Sequence, residues 1–391
     1  MSPALTVYLK ECRESLRDRR VLLNSLVLGP LIGPLLFLVL MRVVIGRELQ
    51  KAEQPLPVVV IGAERAPELI DALRQMGLRQ LPSVADPERA VREQRIDLAL
   101  RVNADYGAAW RNGRPAEVEL IYDSSRREAQ GDVERLRNML DSYGRRNGAL
   151  RLLARGISPP IATPLVVASR DLATPQARGA LLFGMLPYML VLTMYIGGLS
   201  LAIDSTAGER ERLSLEPLLI VAVPRDRILL GKLLATASFS LASLTLGLLA
   251  FLVAGRFMPT EQLGLSLALG PHFFAVALPT LLPLVLLVGI TQIFIAAFAR
   301  SVREAQTYLG LAQLVPLIPS IVLSLLPLRA QLWMYAVPLL GQQLAIMRWL
   351  RAETVPGLAL GLSALVTLLA MLAVFLLTRR IYESERLAVS A

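Results

Sequence analysis

Six stretches of this chain are apolar over a length that only a membrane span needs, and no motif constrains the fold as much. They run from Val21 to Val44, Gly179 to Ile203, Ile228 to Gly255, Phe273 to Ala299, Ala305 to Pro327 and Pro356 to Thr378. A bilayer core about 30 Å thick takes about 20 apolar residues of helix. Backbone groups in hydrocarbon find no water, so such a segment crosses as a helix that satisfies itself. The sequence therefore predicts an α-helical integral membrane protein with six transmembrane helices. Hydrophobic residues make up 54% of the 391 positions and charged ones only 18%, which excludes disorder and fits no ordinary soluble domain. The first stretch follows a charged segment and has no small-x-small cleavage site, so it reads as an uncleaved anchor and not as a signal peptide.

Charge distribution predicts the orientation. Of the formal net charge of +10, +3 falls on residues 45–178 and +7 on the remainder, around the apolar stretches. Basic residues gather in the N-terminal segment (Lys10, Arg13, Arg17, Arg19, Arg20), the second-to-third connection (Arg210, Arg212, Arg225, Arg227), the fourth-to-fifth connection (Arg300, Arg303) and the tail (Arg379, Arg380, Arg386). All four lie on one side of a six-span arrangement, which the positive-inside rule makes cytoplasmic. Both termini are then cytoplasmic, in a bacterial inner membrane, and residues 45–178 are extracytoplasmic. No aromatic and basic stripe accompanies the charge, so nucleic acid is not a partner. One cysteine, Cys12, and one histidine, His272, exclude an intrachain disulfide, cysteine-based metal centres and His-rich sites.

The insert at 45–178 alternates element types. Leu56–Ile61, Asp97–Val102 and Glu117–Tyr122 read as strands; Ala66–Met76, Asp86–Gln94 and the polar Ser125–Arg155 read as helices; Pro164–Ala168 reads as a last strand. A small α/β domain is expected, with a solvated face on the long charged helix. Ahead of the first span, Leu5, Leu9, Cys12 and Leu16 fall at i, i+4, i+7 and i+11, the stripe of an amphipathic helix in the membrane interface over residues 1–20, with Lys10, Glu11, Arg13 and Glu14 on its other faces. Leu332–Leu350, between spans five and six, is apolar but broken at Pro338 and Gly341, as in a re-entrant or interfacial helix pair.

The connection at 204–228 carries both charge and grease: Glu209, Arg210, Glu211 and Arg212, then Leu215, Glu216, Leu218 and Leu219. That pairing suits docking against another protein. With Pro224, Ile228, Gly231 and Lys232 it resembles the ABC-2 type permease family, the membrane subunits of one class of ATP-binding-cassette exporters; Leu213-Ser214 stand where Gly-Thr is usual. Ala299–Tyr308, including Arg300, Arg303 and Glu304, resembles the sodium-export and multidrug branch of the same family. The resemblance implies a type V exporter-like fold, a second permease copy or close paralogue, a cytoplasmic ATPase subunit carrying ATP and Mg, and an ATPase-coupling role for these two connections.

The chain itself is expected to be no enzyme and to bind no cofactor or metal. Gly231-Lys232 is followed by Leu233 and opens a span, which is no Walker motif. Arg42 and Lys232 stand near span ends, where long side chains can snorkel, and the spans are otherwise read as free of Asp, Glu, Lys and Arg. This argues against ion coupling through a carboxylate. It leaves Asn24, Ser240, Ser243, Thr291, Gln292, Gln306 and Gln313 as the candidate substrate path for a cation, drug or lipid-like amphiphile, with Gln306 and Gln313 on one face of span five. Prolines at 30, 34, 279, 283, 316 and 319 mark kinks that need another backbone partner. Another class of reading is a membrane-anchored sensor or scaffold whose external domain binds a ligand or envelope partner; five spans after the domain exceed what an anchor requires.

Overall fold

The computed structural model describes residues 2–162, 165, 170, 172–176, 179, 184–212, 223–257, 269–325 and 329–383. The chain divides into two units, Met1–Gly46 with Leu172–Ala391, and Arg47–Asp171. The expected strand at Pro164–Ala168 falls outside the described residues, apart from Leu165.

The first unit is helical. Among the described residues, six helices are long and apolar enough to cross a membrane: Arg19–Val43, Leu186–Glu211, Arg225–Arg256, Pro271–Phe298, Val302–Leu323 and Gly357–Glu383, called spans one to six. They match the six apolar stretches. Before them lies α1 (Pro3–Arg17); span one is made of α2 (Arg19–Leu22), a π-helical turn (Leu23–Leu28) and the first part of α3 (Gly29–Glu53), which runs on past the span. The predicted amphipathic helix is α1, and it exposes Leu5 and Leu16. It buries Ala4, Glu11 and Ser15 against span three, so the helix docks on a face the hydrophobic stripe does not mark.

Small residues set the packing. A Cβ on Gly231 of span three would stand 2.7 Å from the Ala4 carbonyl oxygen and from Val7 Cβ, so α1 sits directly on the backbone of span three. Within the bundle, a Cβ on Gly197 or Gly198 of span two would collide with Ser243 or Ser240 of span three at 2.4 and 2.3 Å. Without a hydrophobic drive between helices in lipid, such close backbone approach is the main source of cohesion.

Two expectations are corrected. Residues 204–211, read as part of a loop over 204–228, continue span two: a π-helical turn (Asp204–Gly208) and a last helical turn (Glu209–Glu211) carry it onward. Span five is not one straight helix. It stops at Ala312, turns through 313–316 and resumes at Leu317–Leu325, because Pro316 cannot donate to the preceding turn. Gln313 falls in that turn, half-buried, while Gln306 is exposed on the helix before it, so the two do not share a continuous face. Span four, in contrast, runs unbroken through Pro279 and Pro283. The expected broken pair after span five is present as Leu332–Tyr335 and Leu340–Leu350, with Leu339 at a φ of 71° in the corner. Tyr335 there is buried and Trp333 exposed.

The second unit is an α/β domain. Strands β1 (Leu56–Ile61), β2 (Leu78–Leu81), β3 (Leu98–Val102) and β4 (Val118–Tyr122) form one sheet in the order β2-β1-β3-β4. β1 runs parallel to β2 and β3, and β4 closes the edge antiparallel to β3. Helices α4 (Pro67–Gln75), α5 (Pro87–Arg92), α6 (Tyr106–Arg111) and α7 (Arg127–Leu153) accompany it. The three predicted strands and three predicted helices over residues 56–155 are all present. β2 and α6 were not expected, because Leu-Arg-Gln-Leu shows no β-rich run and Tyr106–Arg111 is under two turns long. Gly77 at φ 99° makes the turn into β2, and its carbonyl accepts from the Leu56 N–H at 2.8 Å. The long α7 is not polar all round: Val133, Leu136, Met139 and Tyr143 join the sheet core.

Candidate functional site

Lys232 sits two turns into span three with no exposed surface. It does not snorkel. Its Nζ donates to a Glu209 carboxylate oxygen and to the Ser205 carbonyl, and lies 3.9 Å from Glu11 Oε1. Both acceptors come from the end of span two, where the π-helical turn widens the helix and rotates Glu209 inward. Lys10 on α1 reaches the other Glu209 oxygen at 2.7 Å and Glu11 at 3.4 Å. Two lysines thus face two buried carboxylates, a balanced set tying α1 to spans two and three. An isolated ion in such surroundings would cost several kcal/mol, and close pairing is what offsets it. Burial pushes the Glu11 carboxyl above its ordinary range, against the pull of Lys232 and Lys10. Partial burial opposes the Lys10 ammonium, yet its hydrogen bond to Glu209 and the neighbouring carboxylates raise its pKa.

One turn further, the end of span two meets the connection between spans four and five. Glu211 Oε2 accepts the Val302 N–H at 2.7 Å, placing a carboxylate at the first turn of the helix that opens span five, where unpaired amides and the helix dipole favour it. Arg210 donates to the Ala299 carbonyl at 3.3 Å. Ser301 caps the same helix through the Glu304 N–H, and Glu304 returns to the Arg300 N–H at 2.7 Å, a reciprocal capping pair. The two connections singled out from sequence are therefore one structure, presenting Glu211, Arg212, Arg300 and Arg303 outward. Glu209, expected among those outward charges, faces inward instead. Leu215, Glu216, Leu218 and Leu219 fall outside the described residues.

The remaining candidates separate. Ser240, Ser243 and Gln292 are fully buried between spans two, three and four. Ser243 donates to the Thr193 carbonyl at 3.0 Å and Gln292 Nε2 to the Tyr195 carbonyl at 2.7 Å. Ser240 Oγ, Thr236 Oγ1 and Gln292 Oε1 have no hydrogen-bond partner among the described residues, and Ser240 Oγ and Gln292 Oε1 lie 2.3 and 3.0 Å from the position a Cβ on Gly198 would take. Thr291 bonds only within its own helix, to the Leu287 carbonyl, and Asn24 is exposed. Gln342 and Gln343, which the sequence reading passed over, are fully buried. Gln343 donates to the Pro316 carbonyl at 2.8 Å and accepts from Ser320 at 2.6 Å, tying the break in span five and the helix that resumes from it to Leu340–Leu350. Gln342 holds Thr367 of span six at 2.7 Å. Glu11 was missed as well, since a helical wheel sorts it with the polar face. The signal was Lys232 itself, because a lysine that deep in an apolar span requires a carboxylate.

A family model described as ABC-2 family transporter protein matches residues 21–379. The chain belongs to that family. The ABC transporter permease protein NatB of Bacillus subtilis (strain 168) is 27% identical over 379 residues, covering 96% of each chain. No solved structure matches it. Membership makes this chain a multi-pass membrane transporter component and implies an ATP-binding-cassette ATPase as a separate partner subunit.

Replacing Lys232 with Met should cost about 3–5 kcal/mol, the usual result of stranding a buried ion. The double replacement Lys232→Met with Glu209→Gln should recover most of that loss, since Lys10 and Glu11 then remain as a balanced pair. Thermal unfolding of the detergent-solubilised variants checks this; a single variant as stable as the parent would mean that Lys232 is not a buried ion.

Proposed function

We propose that this permease moves its substrate out of the cytoplasm, driven by ATP and Mg bound on the partner ATPase, and that the joined turns at 209–212 and 299–304 receive the ATPase. The observation that carries this reading is the bond between Glu211 and the Val302 amide. It makes one rigid ledge from the ends of spans two, four and five, so a push on the ledge reaches three spans together. Exposed arginines at 212, 300 and 303 give that ledge a basic rim, and the segment with Leu215, Glu216, Leu218 and Leu219 adjoins it in sequence.

The architecture proposed is type V exporter-like, with both termini in the cytoplasm of a bacterial inner membrane and the α/β insert on the opposite face. A second copy or close paralogue completes the pathway. Support for that comes from span five, where Gln306 and Tyr308 stand exposed beside Leu311, Leu314, Val315 and Ile318, polar groups that a neighbouring helix can take up. The substrate path runs beside Ser240, Ser243 and Gln292, where partnerless buried oxygens offer contacts to a cation or to the polar part of a drug or lipid-like amphiphile.

Arg300→Glu with Arg303→Glu tests the ledge. Both side chains are exposed, so unfolding temperature should stay unchanged, while like-charge contact across the docked rim should weaken ATPase co-purification by roughly tenfold or more and reduce transport with it. Full complex and full transport in this variant would remove the ledge from coupling. For orientation, single cysteines at Ser125 and Ser384 in a Cys12→Ala background should react with an impermeant thiol reagent from outside and from inside respectively. The reverse pattern would invert the topology.

A further inference from the structure

The transport reading leaves unused a cavity in the α/β insert. From β1 the chain passes through α4 to β2 on one side; from β2 it passes through α5 to β3 on the other. The loops leaving the carboxyl ends of β1 and β3 therefore part, and in open α/β sheets ligands bind in the crevice at this point of reversal. Here that crevice is a cavity of about 520 Å³ lined by Arg65, Glu68, Tyr106, Trp110, Arg111 and Tyr143. Its size falls in the range of small-molecule sites.

The lining is rich in hydrogen-bond donors without acceptors. Tyr106 and Tyr143 are 5% and 8% exposed, and neither hydroxyl has a hydrogen-bond partner among the described residues, although both line the cavity. Burial pushes the Tyr106 phenol up to about 12 and raises that of Tyr143, so both stay protonated and able to donate. The nine-residue α4 starts at the same wall. Ala66 at its N-cap offers no side-chain acceptor, which leaves the Glu68 and Leu69 amides uncapped. Arg111 spends only its Nε, on the Gly107 carbonyl at 3.2 Å, while Arg65 gives one nitrogen to the Val102 carbonyl at 3.0 Å and has its Nε 3.6 Å from the Glu64 carboxylate. Against these stands a single lining carboxylate, Glu68. The other wall is flat and fixed: Tyr106 stacks on Trp110 at 5.8 Å and 11°, Trp110 on Tyr143 at 5.6 Å and 19°, and the Arg151 guanidinium lies 4.0 Å over Trp110.

We propose that this cavity binds a small organic anion with a planar apolar body, its carboxylate held by Arg111 and the first amides of α4, its ring seated along Tyr106 and Tyr143 with their hydroxyls donating to it. The excess of free donors selects the charge, and the stacked rings select the planar body. The assignment stands on the insert alone and does not depend on which face of the membrane the insert occupies.

Benzoate is the probe, with benzamide as its uncharged twin, measured by saturation-transfer NMR on the full chain in lipid nanodiscs against empty nanodiscs. Benzoate should bind saturably, and benzamide roughly tenfold more weakly, because the charge-assisted hydrogen bonds are lost. Arg111→Gln should weaken benzoate by a similar factor. Ala108→Phe, an exposed position on the cavity wall, should abolish binding without changing the unfolding temperature. Absence of saturable benzoate binding to the unmodified chain, benzamide binding as tightly as benzoate, or Ala108→Phe binding benzoate like the parent would each overturn the proposal. Should either variant lower stability, the benzoate and benzamide pair on the unmodified chain decides the matter by itself.

Discussion

A lysine with no exposed surface inside a membrane bundle has to be neutralised where it stands, and much of this fold follows from how Lys232 is satisfied. Its partners arrive from two directions. The π-helical turn at Asp204–Gly208 swings Glu209 inward from span two, and α1 brings Glu11 and Lys10 over Gly231, the glycine that lets its backbone come close. Replacing that set with apolar residues would cost less stability than breaking it. Its retention therefore points to a role in register: charge pairing fixes how α1 and span two sit on span three, and hence where the ledge formed by Glu211 and Val302 lies.

The same constraint, that no polar group goes unpaired in hydrocarbon, governs the other half of the bundle. Span five breaks at Pro316, whose carbonyl accepts from Gln343, itself held by Ser320. Gln342 does the same service toward span six through Thr367. Irregular backbone at this depth is tolerable only when buried in protein. Satisfaction is incomplete at several buried oxygens, and three of them, Ser240 Oγ, Thr236 Oγ1 and Gln292 Oε1, gather between spans two, three and four around the Gly198 contact without partners among the described residues. Their clustering on three neighbouring spans is what makes these residues, and not Thr291 or Asn24, the stronger path candidates.

Length and periodicity made the six spans, α1 and six of the insert's elements legible in the sequence, since each is a local pattern that burial enforces directly. Contacts between distant residues were not. Glu11 and Lys232 are separated by 221 positions, and nothing local distinguishes a carboxylate bound for a buried lysine from one bound for water. Lys232 was read as snorkelling because it lies near a span end, an argument from position that ignores what stands beside it. Residues 204–211 looked like loop because charge begins there, yet charge that is paired on the spot does not end a helix. Gln342 and Gln343 were passed over for a similar reason: their value lies in Thr367 and Pro316, which only the fold brings near. The sequence marked the two connections separately, but their union through Glu211 and Val302 depends on three span ends meeting.

α1 belongs to the core of the bundle, held there by buried charge, and does not float as a free amphipathic helix at the interface. Hydrogen exchange of the α1 amides in the lipid-embedded chain measures this most directly. If α1 is docked, its amides from Leu9 to Ser15 exchange on the slow timescale of the adjoining turns of span three, because opening them requires separating Lys232 from its carboxylates. Exchange of those amides at the rate of an unstructured peptide, while span three stays protected, would contradict the account.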